Sequence, residues 1–187
     1  MKKKTLVLLI AFLLIMGGAT LLYNYLGENY NPADLKEQDR VDKDSHEEEK
    51  VPMVDFTVYD VEGNEVDLFD YAGKPIVVNF WASWCNPCLE ELPAFDKAYA
   101  KYKDKVNFLM VNMTDGYRDT VEKVNDFVTK KQFSFPVFYD TEMDAASTYG
   151  VSSIPATLFI DENGYIVAGI TGSMNIVVIE ENIGAIL

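Results

Sequence analysis

The run Pro75-Ile-Val-Val-Asn-Phe-Trp81 is apolar at both of its alternating sets of positions. Successive side chains of an extended chain point to opposite faces, so this strand needs cover on both sides. A second run, Val106 to Met113, has the same character. Apolar residues elsewhere recur at spacings of three and four: Leu89, Leu92, Phe95 and Tyr99, then Val121, Val124, Phe127 and Val128. Those spacings place each set on one face of a helix. Buried strands alternating with amphipathic helices predict an α/β fold, a central mixed sheet with helices on both faces.

The remaining segments fit that frame. Asp55 to Tyr59, the turn Glu62-Gly63-Asn64 and Val66 to Leu68 read as a leading β-hairpin. Phe135 to Tyr139 reads as a short strand and Thr141 to Tyr149 as a short helix. Ala156 to Ile160 and Tyr165 to Ile170 read as a hairpin about Asp161-Glu-Asn-Gly164, and Met174 to Leu187 as a closing helix. The domain then covers residues 51–187, a comfortable size for one core.

Two different textures precede it. Lys2, Lys3 and Lys4 are followed by an uncharged, apolar stretch from Thr5 to Leu22, continuing through Tyr25 and Leu26. Its length suits a membrane-spanning helix, which needs roughly 20 residues. Residues 1–26 are expected to be an N-terminal membrane anchor, with a cleaved signal peptide as the alternative. The lysines predict a cytoplasmic N-terminus, with residues 51–187 outside the cytoplasm. Residues 27–50 are rich in Glu, Asp and Lys and poor in apolar side chains, the composition of an acidic flexible linker. His46 is incidental in that setting.

The formal net charge is −14, and no Lys or Arg cluster lies beyond the first residues, which argues against nucleic-acid binding. The chain has two cysteines, Cys85 and Cys88. A bridge between them closes almost no loop, so it adds little chain entropy as a structural staple. The pair also lacks the further ligands of a zinc site.

The setting of this pair points to chemistry. Trp84-Cys-Asn-Pro-Cys88 follows the buried strand and opens a helix. Cys85 then falls at the helix N-terminus, where unpaired amides favour a thiolate, the attacking species. Pro87 falls in the first turn, where no N–H is needed. Cys88, one turn in, can resolve a mixed disulfide formed at Cys85. Glu91, three residues on, shares a helix face with Cys88 and can exchange its proton, or can be a structural residue. Glu90 points elsewhere. Pro155, before the strand at Ala156, serves equally well as a strand-start proline or as part of a site.

Asn79 to Pro93, N-F-W-A-S-W-C-N-P-C-L-E-E-L-P, resembles the active-site segment of the TlpA/ResA-like family of membrane-anchored thioredoxin-like proteins. Gly150 to Gly164, G-V-S-S-I-P-A-T-L-F-I-D-E-N-G, resembles that family's cis-proline segment. The resemblance covers residues 51–187 and implies a thioredoxin-like fold with an added N-terminal β-hairpin. It matches Cys85 and Cys88 to the redox pair, Pro155 to a cis-proline lying against them and Glu91 to a buried active-site glutamate. Trp84 and Ile154 fall where the family contacts substrate. The family's activity is thiol–disulfide exchange outside the cytoplasm without a cofactor, commonly reduction of disulfides in exported proteins, including apocytochrome c. The implied electron donor is an integral-membrane protein, and the chain is expected to act as a monomer. The chain has no C-x-x-C-H motif and is not itself a c-type cytochrome.

Other duties compete. A disulfide-introducing oxidase uses the same motifs, and Asn86-Pro87 tunes the potential that separates the two. A peroxidase of the peroxiredoxin type needs a further cysteine. Metal delivery needs histidine or more sulfur near the pair, and core packing accounts for Met143 and Met174.

Overall fold

The structure is a computed structural model describing residues 2–29 and 50–187. In the first helix, α1 (Lys2–Asn29), the described side chains are those of residues 12–25. They include Phe12, Leu13, Leu14, Ile15, Leu21 and Leu22, all exposed. Among the described residues no helix is long and apolar enough to cross a membrane. The anchor expected over residues 1–26 extends past that described stretch at both ends, and most of the linker expected over 27–50 lies outside the described residues. Residues 50–187 form a separate compact unit.

This unit is built on one eight-stranded mixed sheet. Its strands are β1 (Val51–Pro52), β2 (Thr57–Tyr59), β3 (Glu65–Asp67), β4 (Ile76–Trp81), β5 (Asn107–Asn112), β6 (Val137–Tyr139), β7 (Ala156–Ile160) and β8 (Tyr165–Thr171). They lie in the order β1-β8-β7-β4-β5-β6-β2-β3. Strands β4, β5 and β6 run parallel, while β7 is antiparallel to both β4 and β8. The hairpin β2–β3 joins the sheet through Tyr59 opposite Tyr139. The helices are α2 (Asn86–Tyr102), α3 (Val121–Lys131), α4 (Asp144–Thr148) and α5 (Ile176–Ile186), with a 3-10 turn at Leu68–Tyr71.

Every residue of β4 is buried, as its two-faced apolar run requires. Val77 and Trp81 pack with Leu92 and Phe95 of α2, Val124 of α3, and Ile179 and Ile183 of α5. Ile76, Val78 and Phe80 pack on the opposite face with Phe56, Val58, Leu68 and Ala145. Phe95 is fully buried, so Phe95→Ala is expected to cost about 3–5 kcal/mol in denaturant unfolding, through lost transfer energy and a residual cavity.

Most element boundaries differ from the sequence expectations by one or two residues, as when the return strand expected at Val66 to Leu68 runs from Glu65 to Asp67, and three of the shifts have a visible cause. Helix α4 starts at Asp144 rather than Thr141, because Met143 before it is in the left-handed conformation (φ 58°), and the Asp140 carboxylate accepts the N–H groups of Ala145 and Ala146 in the first turn. Helix α5 starts at Ile176 rather than Met174, because Asn175 caps it through the N–H groups of Val177 and Val178. This leaves the Met174 N–H outside the helix. Strand β6 begins at Val137, after Pro136, which has no N–H to give a ladder. Strand β1 was not expected: two exposed residues paired with Ile166 and Tyr165 carry no periodicity to read.

Candidate active site

Strand β4 delivers the chain at Trp81, and a bend at Ala82–Trp84 leads into α2. A carboxylate distant in sequence fixes this bend. Asp119 is fully buried and accepts the Ser83 N–H at 2.8 Å, the Ser83 hydroxyl and Asn112 Nδ2 at 3.0 Å. Cys85 is the N-cap of α2 in extended conformation, with Pro87 in the first turn. The Cys88 N–H points at Cys85 Sγ from 3.3 Å, so the helix start presents a donor to sulfur at this position.

Cys85 and Cys88 are joined in a disulfide, with Cα atoms 5.3 Å apart. Cys88 is fully buried, whereas Cys85 retains 7% exposure, so Cys85 is the sulfur that a partner can reach. The Ile154–Pro155 peptide is cis, and Pro155 is buried. The Ile154 carbonyl lies 3.7 Å from Cys85 Sγ. In the reduced pair the Cys85 thiol can donate to that oxygen. The fold thus brings Cys85, Cys88, Ile154 and Pro155 together across a long sequence gap.

Glu91 lies one helical turn beyond Cys88 and is 1% exposed. Its Oε1 accepts from Asn79 Nδ2 at 2.8 Å, and its Oε2 accepts the free Met174 N–H at 3.0 Å. Asn79 Nδ2 also donates to Thr157 Oγ1 at 3.0 Å. Burial pushes the Glu91 carboxyl up to about 7, and these two hydrogen bonds oppose the shift only in part. Glu91 borders a cleft of about 480 Å³ shared with Glu90, Lys97, Ser173 and Asn175. Glu90 itself is exposed, as expected.

Trp84 is 40% exposed beside Cys85. The guanidinium carbon of Arg118 sits 3.6 Å above its ring centroid. Arg118 Nε donates to Asp115 Oδ2 at 2.7 Å, and Asp115 Oδ1 accepts the N–H groups of Tyr117, Arg118 and Asp119. These contacts hold the Asp115 carboxyl well below the usual carboxylate range. Asp115, Arg118 and Asp119 escaped the sequence reading. Asp-Gly-Tyr-Arg-Asp signals a turn, but nothing local says that the turn folds back on the bend before Cys85. Among the described residues no group of His, Cys, Asp and Glu is placed to hold a metal ion.

The AhpC/TSA family model matches residues 49–168. A thiol-disulfide oxidoreductase ResA from Bacillus cereus is 32% identical over 184 residues, covering 97% of this chain and 96% of that protein. The ResA of Geobacillus thermodenitrificans is 39% identical over 121 residues, covering 64% of this chain and 67% of that one. Among solved structures, StoA from Bacillus subtilis superposes with a TM-score of 0.61 at 27% identity, covering 72% of this chain and 98% of that one. A DsbF homologue from Corynebacterium diphtheriae gives a TM-score of 0.66 at 25% identity, covering 74% and 88%. A disulfide at a helix start after a buried strand and relatives with a shared thiol–disulfide activity lead to one assignment: the chain belongs to the AhpC/TSA family, with the thioredoxin-like fold, and is a thiol–disulfide oxidoreductase acting on disulfide-containing partners.

Proposed function

We propose that the protein reduces disulfides of exported polypeptides, apocytochrome c among them, on the outer side of a membrane. Cys85 is the attacking sulfur, Cys88 resolves the mixed disulfide and Glu91 carries the Cys88 proton. Pro155 shapes the site, and Trp84 and Ile154 meet the partner chain. The observation that carries the reading is the buried Glu91, one helical turn beyond Cys88, with no cation hydrogen-bonded to it among the described residues. A carboxylate in the same apolar surroundings raises the energy of a nearby thiolate. Such a carboxylate offsets the stabilisation that the helix start gives a thiolate at Cys85, and the less the thiolate is stabilised the more readily the reduced pair gives up its electrons.

Residues 1–26 act as a single-pass anchor, 27–50 as a tether and 51–187 as the catalytic domain. Support comes from the apolar run after Lys2–Lys4 and from the exposed apolar side chains described in α1. An integral-membrane electron donor recharges the pair, in keeping with the resemblance of Asn79–Pro93 to membrane-anchored reductases.

The reduction potential tests the direction of electron flow. A value near that of thioredoxin, about −270 mV, is expected, and one near −120 mV makes the protein an oxidase instead. Membrane fractionation on the same cells tests the anchor: the full chain is expected in the membrane, open to protease from outside. A shortened form in the medium would sink that part of the proposal.

A further inference from the structure

The loop before α3 holds a feature that the exchange chemistry does not use. The Arg118 guanidinium lies flat on Trp84 and spends only Nε on Asp115; its two terminal nitrogens have no partner among the described residues. Its side chain is 51% exposed. A guanidinium stacked by one face keeps its in-plane N–H edge free, and that edge fits the two oxygens of a carboxylate.

The loop is held on every side. Asp115 Oδ1 takes three consecutive N–H groups, the Gly116 N–H donates to the Asp119 carbonyl, and Lys123 Nζ donates to the carbonyls of Tyr117 and Arg118. Asp119 then ties the loop to Ser83, two residues before Cys85. A fixed Arg118 loses little freedom when a partner binds. Tyr117, 84% exposed, adds an aromatic edge to the same loop, as recognition surfaces commonly do.

Charge narrows the partner. The chain carries a net charge of −14, so an acidic segment is repelled over most of its surface. Arg118 lies in this loop, with Glu122 and Lys123 in the first turn of α3; the charge of Asp115 is spread over three amides and Nε, and that of Asp119 is buried against Ser83 and Asn112. The free edge of the Arg118 guanidinium is therefore the contact that an acidic residue finds close to Cys85.

We propose that Arg118, held on Trp84, reads an Asp or Glu side chain flanking the cysteine of the incoming polypeptide, so that acidic-flanked disulfides are preferred substrates. The inference rests on Cys85 being the attacking sulfur. Three polypeptides with one shared disulfide and Glu, Gln or Lys beside its cysteine test it, with kcat/KM measured on the full chain in detergent. Wild type is expected to favour Glu over Lys about three- to fivefold at low salt, with the ratio shrinking as salt rises. Arg118→Gln is expected to flatten the ratio and Arg118→Glu to invert it. Each ratio compares substrates on one protein, so a partly damaged variant still reports. Equal rates on all three substrates in wild type, a preference for Lys, or an unchanged ratio in Arg118→Glu overturns the role of Arg118. Failure of wild type to exchange with any of them, and with a small-molecule disulfide, overturns instead the assignment of Cys85 beneath it.

Discussion

Cys85→Ser is expected to lower disulfide-exchange turnover at least about a thousandfold, while Cys88→Ser traps the partner as a mixed disulfide. The two cysteines sit unequally. Cys85 keeps 7% exposure at the N-cap of α2 and faces the Cys88 N–H, whereas Cys88 is fully enclosed. In the proposed reaction the Cys85 thiolate of the reduced protein attacks one sulfur of the partner disulfide. A new S–S bond forms, the partner bond breaks, and the released partner sulfur takes a proton from water. Cys88 then loses its proton and attacks Cys85 Sγ. The Cys85–Cys88 disulfide of the structure forms again, and the second partner sulfur leaves as a thiol. Without Cys88 the reaction halts at the mixed disulfide. Non-reducing electrophoresis reads the captured partners, and thiol alkylation reads which cysteine reacts first. Faster labelling of Cys88, or partner capture by Cys85→Ser, reverses the assignment.

Glu91→Gln is expected to slow resolution by about tenfold to a hundredfold and to remove an inflection near pH 7 from the rate profile. With its carboxyl raised to about 7, Glu91 is present in both forms near neutrality, as the proposed exchange of the Cys88 proton requires. The charged groups that share its cleft, Glu90 and Lys97, remain in the variant. Superimposable profiles for wild type and variant would show that the proton goes elsewhere.

The same shift has a stability signature. The folded carboxyl binds its proton more tightly than the unfolded one, whose value is 4.5. Below about pH 4.5 both states are protonated and nothing is lost. As pH rises to about 7 the unfolded state ionises first and is favoured, and above that the full loss, about 3 kcal/mol, is in place. Oxidised wild type is therefore expected to lose stability from pH 4 to pH 8.5 by more than oxidised Glu91→Gln does. Gln recovers only part of the loss, because its amide NH2 replaces one of the two accepting oxygens and meets Asn79 Nδ2 or the Met174 N–H donor to donor. Denaturant unfolding at the two pH values reads the difference.

What the sequence disclosed follows a physical rule. The buried β4 run, the periodic faces of α2 and α3, and Cys85-Asn-Pro-Cys88 at a strand-to-helix junction are local patterns, legible because each element obeys its own period. The partners of Glu91 were not legible. Asn79 lies one strand earlier, and Met174 is 83 residues away in a segment where only the cap at Asn175 frees the N–H. The Asp119 clamp on Ser83 spans 36 residues, and the stacking of Arg118 on Trp84 likewise joins segments distant in sequence. Contacts of this kind arise from the closed tertiary structure and leave no periodic trace in the chain.

The two borders of the sheet carry a further consequence. A long bare border strand offers a row of unpaired N–H and C=O groups on which another molecule can build. Here one border is the three-residue β3 with Glu65 and Asp67, too short for a second copy to extend and acidic enough to repel it. At the other, the two-residue β1 covers the seven-residue β8 only at Tyr165 and Ile166, which leaves residues 167–171 without a strand partner on that side. Strand addition is therefore resisted at the β3 border and, at the other, only where β1 lies.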